Sequence, residues 1–383
     1  MKIMRIIRYF GYLVSLVLLI GLVYLTNLFL MKPFSIDHYL AKNLIVDFSD
    51  TPEGLTYIGL VDRFNWITNH LSELSIVDLE DISQELIRAK ERKAVLLSYK
   101  SSELSDEQEI TRKIALFDLE NEINQGENFP FHSYPINQIG GQHLNLVEFM
   151  TDIHPLRSIS EANYYIDRLN LFDDFFKAGT EVLEEQRKAG IFPPEFVFHH
   201  VIRQLKEFLD YSFDENPLYS VFVRKLEDLE MNDEIKEDLK EKVRLAITKS
   251  VNPGFNQLLD FMEQTLPRAN VHHGVWSLPN GDDFYALRLN VYTTTDYTAE
   301  DIHRIGLAEV ERISKRMKII LKELGYSKVE AVGDLMNQLN EDPKFLYADT
   351  TDRKEKVVAD YTKIVAETEE AMKNYFYSLP EAK

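Results

Sequence analysis

Cysteine is absent from the 383-residue sequence. Its absence excludes disulfide bonds, thiolate catalysis, zinc sites with cysteine ligands and a lipid anchor attached to an N-terminal cysteine. The absence of cysteine does not by itself assign a cellular compartment, because proteins without cysteine occur in oxidising and reducing environments alike.

Basic residues are few relative to acidic ones. The chain has 43 Lys and Arg residues against 63 Asp and Glu residues, which gives a formal net charge of −20. A nucleic-acid-binding protein needs a basic surface to neutralise phosphates, so that class is excluded and no nucleic-acid partner is expected. The apolar share of 45% and the aromatic share of 11% are typical of a globular protein and not of a disordered chain.

The common local signatures of catalysis are also missing. A zinc site on one helix needs two histidines three or four residues apart beside a glutamate, and none of the ten histidines is placed in this way. The sequence has no Gly-x-Ser-x-Gly elbow and no phosphate-binding P-loop. We therefore predict no catalytic residue and no metal ligand in this chain. A site assembled from distant positions would carry none of these local motifs.

One long uncharged segment dominates the N-terminus. Residues 10–31 read FGYLVSLVLLIGLVYLTNLFLM. A helix of this length spans roughly 33 Å, which is enough to cross the hydrocarbon core of a membrane. Lys2, Arg5 and Arg8 precede the segment, whereas only Lys32 follows it closely. The positive-inside rule therefore places the N-terminus in the cytoplasm and the bulk of the chain on the extracytoplasmic side.

Two interpretations fit this N-terminal segment. A cleaved signal peptide has a shorter apolar region followed by a small-residue cleavage site, but this run is longer and no convincing cleavage site follows it. We predict an uncleaved, single-pass membrane anchor in residues 1–34.

Beyond the anchor, the spacing of apolar residues is helical. They recur three and four positions apart in residues 76–99 and 106–123, which predicts amphipathic helices. Ser158 and Glu161 form a capping-box pattern at the start of another helix. No internal repeat or low-complexity linker divides the sequence, so residues 35–383 are predicted to form one large helical domain.

Residues 272–295 break the helical period. Apolar and polar positions alternate around Asn280 and Gly281, a dipeptide that favours the positive φ angles of a tight hairpin turn. We therefore predict a β-hairpin in this segment, packed on helices or joined to a small sheet, because an isolated hairpin is marginally stable. The predicted fold class is mainly α: a large helical domain with a small β-hairpin insertion, preceded by one transmembrane helix.

One block of the sequence is similar to a known family. From Gly274 to Met317 it reads GVWSLPNGDDFYALRLNVYTTTDYTAEDIHRIGLAEVERISKRM. This block resembles the bacterial domain of unknown function 885 family, in which a Gly-x-x-x-Leu-Pro-x-Gly segment leads into Tyr-Thr-Thr-Thr. An acidic-Ile-His-x-x-Gly-Leu-x-Glu-Val helix then follows. Residues 134–150 and the helix around Arg168 are also similar to the family, and the resemblance covers most of residues 35–383.

The resemblance implies a helical relative of zinc metallopeptidases, with zinc as the cofactor of the intact protein and a peptide as its substrate. The family's metal segment, His-Glu-x-x-Pro-Gly-His-His, belongs to its C-terminal part and has no counterpart before Lys383. No metal ligand or catalytic base carries over to this chain, which is expected to bind no zinc and to be inactive alone.

Two functional interpretations follow from the absence of the family's metal segment in this sequence. In the first, the chain is the N-terminal portion of a membrane-anchored, extracytoplasmic, peptidase-like protein, truncated before the metal segment. In the second, it is a non-catalytic, membrane-tethered binding or scaffold module that has lost the catalytic half.

Four residues of the similar block are predicted to contact the substrate. An exposed strand edge at residues 284–294 would pair with an extended peptide. On it, Arg288 would bind a substrate carboxylate and Tyr292 would donate to a developing oxyanion. Tyr285 and His303 complete the set. In the alternative interpretation the tyrosines pack, Arg288 pairs with a nearby aspartate, and His303 is a hydrogen-bonded boundary residue.

Overall fold

The computed structural model describes residues 2–269, 271–326 and 331–376. The protein is 75% helical, and these residues contain no β-strand. It divides into two compact units, residues 1–296 and residues 297–383. The final residues, 377–383, which the predicted truncation concerns, lie outside the described part. The side chains of Lys2, Arg5 and Arg8, on which the predicted orientation in the membrane depends, also lie outside the described part.

The helices follow one another along the chain with short connections. The first unit begins with α1 (Lys2–Leu30), α2 (Ile36–Ser49), α3 (Pro52–Ile58), α4 (Asn65–Thr68), α5 (Leu79–Leu97) and α6 (Asp106–Asn128). It continues with α7 (Gln142–Glu148), α8 (Ile159–Leu169), α9 (Phe172–Lys188), α10 (Glu195–Leu209), α11 (Pro217–Glu227), α12 (Asp233–Ala246), α13 (Asn252–Thr265) and α14 (Gly281–Thr293). The second unit contains α15 (Ala299–Glu323), α16 (Val332–Glu341) and α17 (Arg353–Met372).

The apolar N-terminal segment is a single helix. Its part from Tyr9 to Leu30 is long and apolar enough to cross a membrane, and nearly all of its side chains are exposed. Asn27 fixes the turn that follows: its side-chain amide donates to the carbonyl of Lys32 at 2.6 Å, and its carbonyl oxygen accepts from the backbone N–H of Phe34 at 2.7 Å. The helix therefore runs directly into α2 through a hydrogen-bonded turn.

The largest core lies among α8 to α13. The rings of Phe208 and Phe255 stack with their centroids 4.0 Å apart, and Phe176 meets Phe255 edge-on. The helix periodicity of the sequence predicts these buried faces. Half of the predicted capping box of α8 is present. The Ser158 hydroxyl accepts from the backbone N–H of Glu161 at 3.2 Å, but the Glu161 carboxylate accepts from the backbone N–H of Arg157 and not from that of Ser158.

The predicted β-hairpin at residues 272–295 is wrong, because this segment forms the helix α14. Asn280 adopts the predicted positive φ, 52°, but the turn starts a helix. Phe284 and Leu287 are buried on one face of that helix, and Val291 is half-buried one turn later. Gly281 permits the close packing of this helix start, since a Cβ there would lie 2.1 Å from the carbonyl oxygen of Val275.

The second unit buries few apolar side chains. Among its described residues, the buried apolar side chains are Leu321 of α15 and Leu335 of α16. On α15, Ile305, Leu307 and Val310 are exposed. The apolar faces of this unit are thus not covered by the described part of the unit itself.

Gly254 allows α9 and α13 to approach closely. A Cβ at this position would lie 2.8 Å from the backbone oxygen of Phe172 and 2.9 Å from Cδ2 of Phe176. The first neighbour is backbone and cannot rotate away, so a larger residue would force the two helices apart.

Replacing Gly254 by Ala should destabilise the first unit by about 1–3 kcal/mol, the usual cost of overpacking a core. Gly179→Ala is the matched control, because a Cβ at this interior position of α9 meets only the Gln142 side chain, at 3.9 Å. The control should gain up to about 1 kcal/mol from helix propensity. Thermal unfolding followed by circular dichroism in detergent measures both variants. If Gly254→Ala and Gly179→Ala were equally stable, the close approach of α9 and α13 at Gly254 would be contradicted.

Candidate functional site

Three of the four predicted substrate residues lie on α14. Tyr285, Arg288 and Tyr292 are three and four positions apart, so they share one face of the helix. Arg288 donates to the hydroxyl of Tyr292 at 2.9 Å, and its guanidinium lies 4.7 Å from the centroid of that ring. Both tyrosines are exposed. The helix thus presents the guanidinium and two phenols together, although not on the strand edge that the sequence predicted.

Arg288 has no acidic partner among the described residues. Its second hydrogen bond, at 3.4 Å, goes to the side-chain oxygen of Gln125 on α6. Both partners of the guanidinium are neutral, so its positive charge is not compensated by an ion pair.

Arg288 and Val291 form one wall of an open cleft of about 1090 Å³ in the first unit. Its other walls are the end of α2, the segment before α5, and the facing sides of α5 and α6. Six carboxylates line it, from Asp47, Asp50, Asp81, Glu85, Asp118 and Glu122. The lining also contains three arginines, so carboxylates outnumber cations and favour a ligand that carries positive charge.

The other two arginines of the cleft are already neutralised. Arg92 forms an ion pair with Asp47, and Arg88 forms one with Glu85. Burial raises the pKa of Glu122, and the nearby carboxylate of Glu85 acts in the same direction. Arg288 is therefore the cleft's uncompensated cation among the described residues, and the same cleft contains Glu122, whose carboxyl group is harder to ionise than usual.

His303, the fourth predicted residue, belongs to the second unit. Its side chain is exposed on α15, about one turn from the helix start. Both the substrate contact of His303 and its alternative role as a hydrogen-bonded boundary residue stay predictions.

A buried arginine, which the sequence analysis did not single out, organises a second cluster in the first unit. Arg168 of α8 is fully buried. Its guanidinium donates to the carbonyls of Glu73 at 2.9 Å, His70 at 2.6 Å and Pro52 at 3.3 Å. It also donates to the Thr56 hydroxyl at 2.7 Å. Burial lowers the pKa of Arg168 to about 10, and it remains charged at neutral pH.

His154 completes this cluster. Its Nδ1 accepts from Arg168 at 2.9 Å, and its Nε2 lies 3.3 Å from the carbonyl of Glu161, which requires the neutral tautomer protonated at Nε2. Burial lowers the pKa of His154 well below its usual value, and the charge of Arg168 acts in the same direction. One sequence signal marks Arg168: it lies one helical turn after Tyr165, on the side of α8 that carries this buried ring.

The described residues do not fit a zinc site. Among them, no group of three or more His, Asp or Glu side chains is arranged to hold a metal ion. The predicted zinc of the intact protein therefore has no ligand set in the part of the chain that the structure describes.

The fold and cleft define an all-α protein with an N-terminal apolar helix and an open, acidic cleft. The chain belongs to the family described as bacterial protein of unknown function (DUF885), whose model matches residues 52–383. No curated protein matches the chain.

Two solved structures are similar in fold. One is described as the "putative lipoprotein" from Colwellia psychrerythraea, with 24% identity and a TM-score of 0.76 over 88% of this chain. The other, described as a "putative lipoprotein" of unknown function from Shewanella oneidensis, has 14% identity and a TM-score of 0.62 over 91% of this chain. The matches span 58% and 59% of the lengths of those two chains. At these identities the two structures are similar to this chain in fold alone.

Acid should destabilise the first unit through His154. In the unfolded chain this histidine takes up a proton below about pH 6.5, whereas in the folded protein its lowered pKa keeps it neutral. The unfolded state then binds more protons, so stability is retained above that pH and lost below it.

We expect the melting temperature to fall between pH 7 and pH 5, and to fall less steeply in His154→Gln. His199→Gln is the control, because His199 is exposed on α10. Calorimetry at several pH values measures the slopes. Identical slopes for the His154 variant and the natural chain would show that this histidine does not carry the effect.

Proposed function

We propose that this chain is the membrane-tethered, peptide-binding portion of a peptidase-like protein, with its bulk on the extracytoplasmic side of a single N-terminal span. The observation that carries the proposal is the uncompensated guanidinium of Arg288 in the acidic cleft. An arginine without an acidic partner is suited to bind a carboxylate through two parallel hydrogen bonds.

The carboxylates around Arg288 extend this recognition to a peptide. Glu122 and Gln125 are one helical turn apart on α6, so a ligand carboxylate on Arg288 lies near acidic groups that favour an amino group or a basic side chain. Tyr292 holds the guanidinium in place and offers its phenol to the same ligand. A peptide with a free carboxylate and a nearby positive charge satisfies both parts of the cleft.

The proposal also includes peptide hydrolysis by the intact protein, with zinc as its cofactor. Because the described residues do not fit a metal, we infer that any zinc ligands come from polypeptide equivalent to the part of the solved relatives that this chain does not span. The exposed apolar residues of α15 support this inference, since such a surface favours coverage by further polypeptide. In the alternative function, a non-catalytic binding module, the cleft is the same and the polypeptide that would carry the zinc ligands is absent.

Replacing Arg288 by Ala should weaken binding of the peptide Ala-Lys-Ala by about 10- to 100-fold, because a hydrogen-bonded charge contributes roughly 1.5–3 kcal/mol. Arg288→Lys should recover only part of this affinity, since an ammonium cannot form two parallel bonds. Titration calorimetry with the full chain in detergent measures the affinities.

Two controls make this result specific. Arg203→Ala removes an exposed arginine of α10 that pairs with Glu207, and it should leave the affinity unchanged. The C-terminal amide of the peptide should bind the natural chain and Arg288→Ala equally. Loss of affinity for both peptides on the Ala substitution would mean that Arg288 supports the cleft without contacting the carboxylate.

The chain should also lack tightly held zinc. After dialysis, elemental analysis of the purified full chain should find well below one zinc per molecule, because no described ligand set fits the metal. Retention of one zinc per chain, together with cleavage of Ala-Lys-Ala, would place the ligands within these 383 residues and overturn the division proposed here.

A further inference from the structure

Residues 57–67 run from the end of α3 through the connecting turn into α4 and expose several apolar side chains. The exposed fractions are 73% for Tyr57, 80% for Leu60, 79% for Trp66 and 65% for Ile67. Single exposed apolar residues are ordinary, but a contiguous group of this kind marks an interaction surface. We call residues 57–67 the apolar turn.

The base of the apolar turn is fixed by buried polar contacts. Gly59 takes a left-handed conformation, with φ of 68°, that ends α3. The buried Asn65 accepts from the backbone N–H of Leu71 at 2.8 Å. Arg168 holds both ends of the segment through Thr56 and His70. The apolar side chains are therefore held out by an ordered backbone.

The charge of the apolar turn differs from that of the whole protein. The turn contains two charged residues, Asp62 and Arg63. Asp62 pairs with Arg157 and with His70, and its side chain is only 10% exposed. Arg63 is exposed and has no acidic partner among the described residues. In a chain with a net charge of −20, this surface therefore offers apolar groups and one cation.

Exposed apolar residues connect the apolar turn with the N-terminal helix. The start of α2 lies against the end of α1, where the rings of Tyr24 and His38 are 5.6 Å apart. Farther along α2, Leu44 and Ile45 are exposed, and α3 packs against the same helix. Exposed apolar residues therefore occur on α1, on α2 and in the apolar turn, and contacts between successive helices join these three parts.

We propose that the apolar turn inserts into the interfacial region of a lipid bilayer with anionic headgroups, beside the point where α1 leaves that bilayer. The proposal rests on the membrane anchoring proposed above. Tyr57 and Trp66 are side-chain types enriched at membrane interfaces, with rings that lie at the level of the headgroups. Leu60 and Ile67 reach the acyl boundary, and Arg63 pairs with a lipid phosphate.

A lipid surface suits this turn better than a protein partner. Continuity with a membrane-crossing helix brings the turn near lipid as soon as the anchor inserts, and a single cation among aromatic and aliphatic side chains complements an anionic headgroup layer.

The two tryptophans of the chain, Trp66 and Trp276, provide a direct test. In Trp276→Phe, Trp66 is the only indole. The full chain is reconstituted into phosphatidylcholine–phosphatidylglycerol vesicles with or without lipids brominated in their acyl chains, which quench fluorescence on contact. We expect bromination to remove about half or more of the Trp66 emission, as interfacial burial of the ring implies. In Trp66→Phe, the emission of Trp276 should be the same in vesicles with and without brominated lipids.

A further variant tests the apolar contact itself. Leu60→Asp changes an exposed side chain, so it should leave the helix content unchanged while reducing the quenching of Trp66 in the Trp276→Phe background. Circular dichroism provides the folding check. Undiminished quenching in this variant would contradict insertion of the turn.

Other outcomes separate failure of this proposal from failure of the anchor. If the chain floats with vesicles but Trp66 is not quenched by bromine, the anchor holds and the insertion of the turn is wrong. Trp66 shielded from acrylamide yet unaffected by bromine would indicate a protein cover, which also overturns it. Equal quenching of Trp276 would mean unspecific adsorption. A chain that does not float with vesicles would overturn the anchor, and with it this inference.

Discussion

The hydrogen bonding of the buried guanidinium of Arg168 is the constraint on which the first unit depends. A buried charge is costly unless all its donors are satisfied, and no carboxylate contacts this one directly. Carbonyls and a hydroxyl from residues 52–73 supply the acceptors, together with His154. Arg168 therefore bonds α8 to residues 52–73, and the exposed apolar turn lies within that bonded segment.

Helices with a long, regular apolar period were predictable from the sequence, but α14 was not. Over residues 284–292 an alternating pattern and a helical pattern share several positions, and a segment this short does not separate them. The deciding contacts are remote: Phe284 packs against Phe129, and Gly281 lies against Val275. Asn280 takes the predicted left-handed conformation, but a turn of this kind precedes a helix as readily as it connects two strands.

The candidate cleft was predictable only in part for the same reason. The resemblance to a known family singled out Arg288 and Tyr292, and helical spacing brings these two residues together. Gln125, the other partner of the guanidinium, is 163 positions away in the sequence, and its register on α6 depends on tertiary packing. For Arg168, the sequence indicated a position on an apolar helix face. It did not indicate the backbone carbonyls that accept hydrogen bonds from the buried guanidinium.

The N-terminal helix changes how strong any second membrane contact must be. A chain without cysteine cannot use the cysteine-linked lipid anchor of a lipoprotein, whereas a membrane-crossing helix holds the rest of the chain within a few nanometres of the bilayer. Tethering makes the second contact intramolecular, with an effective concentration on the order of millimolar. In the proposed arrangement, a turn such as Tyr57–Ile67, too small to bind a membrane tightly alone, would then contact lipid for most of the time. That contact would also limit rotation of the first unit about the N-terminal helix and would thereby set the orientation of the cleft.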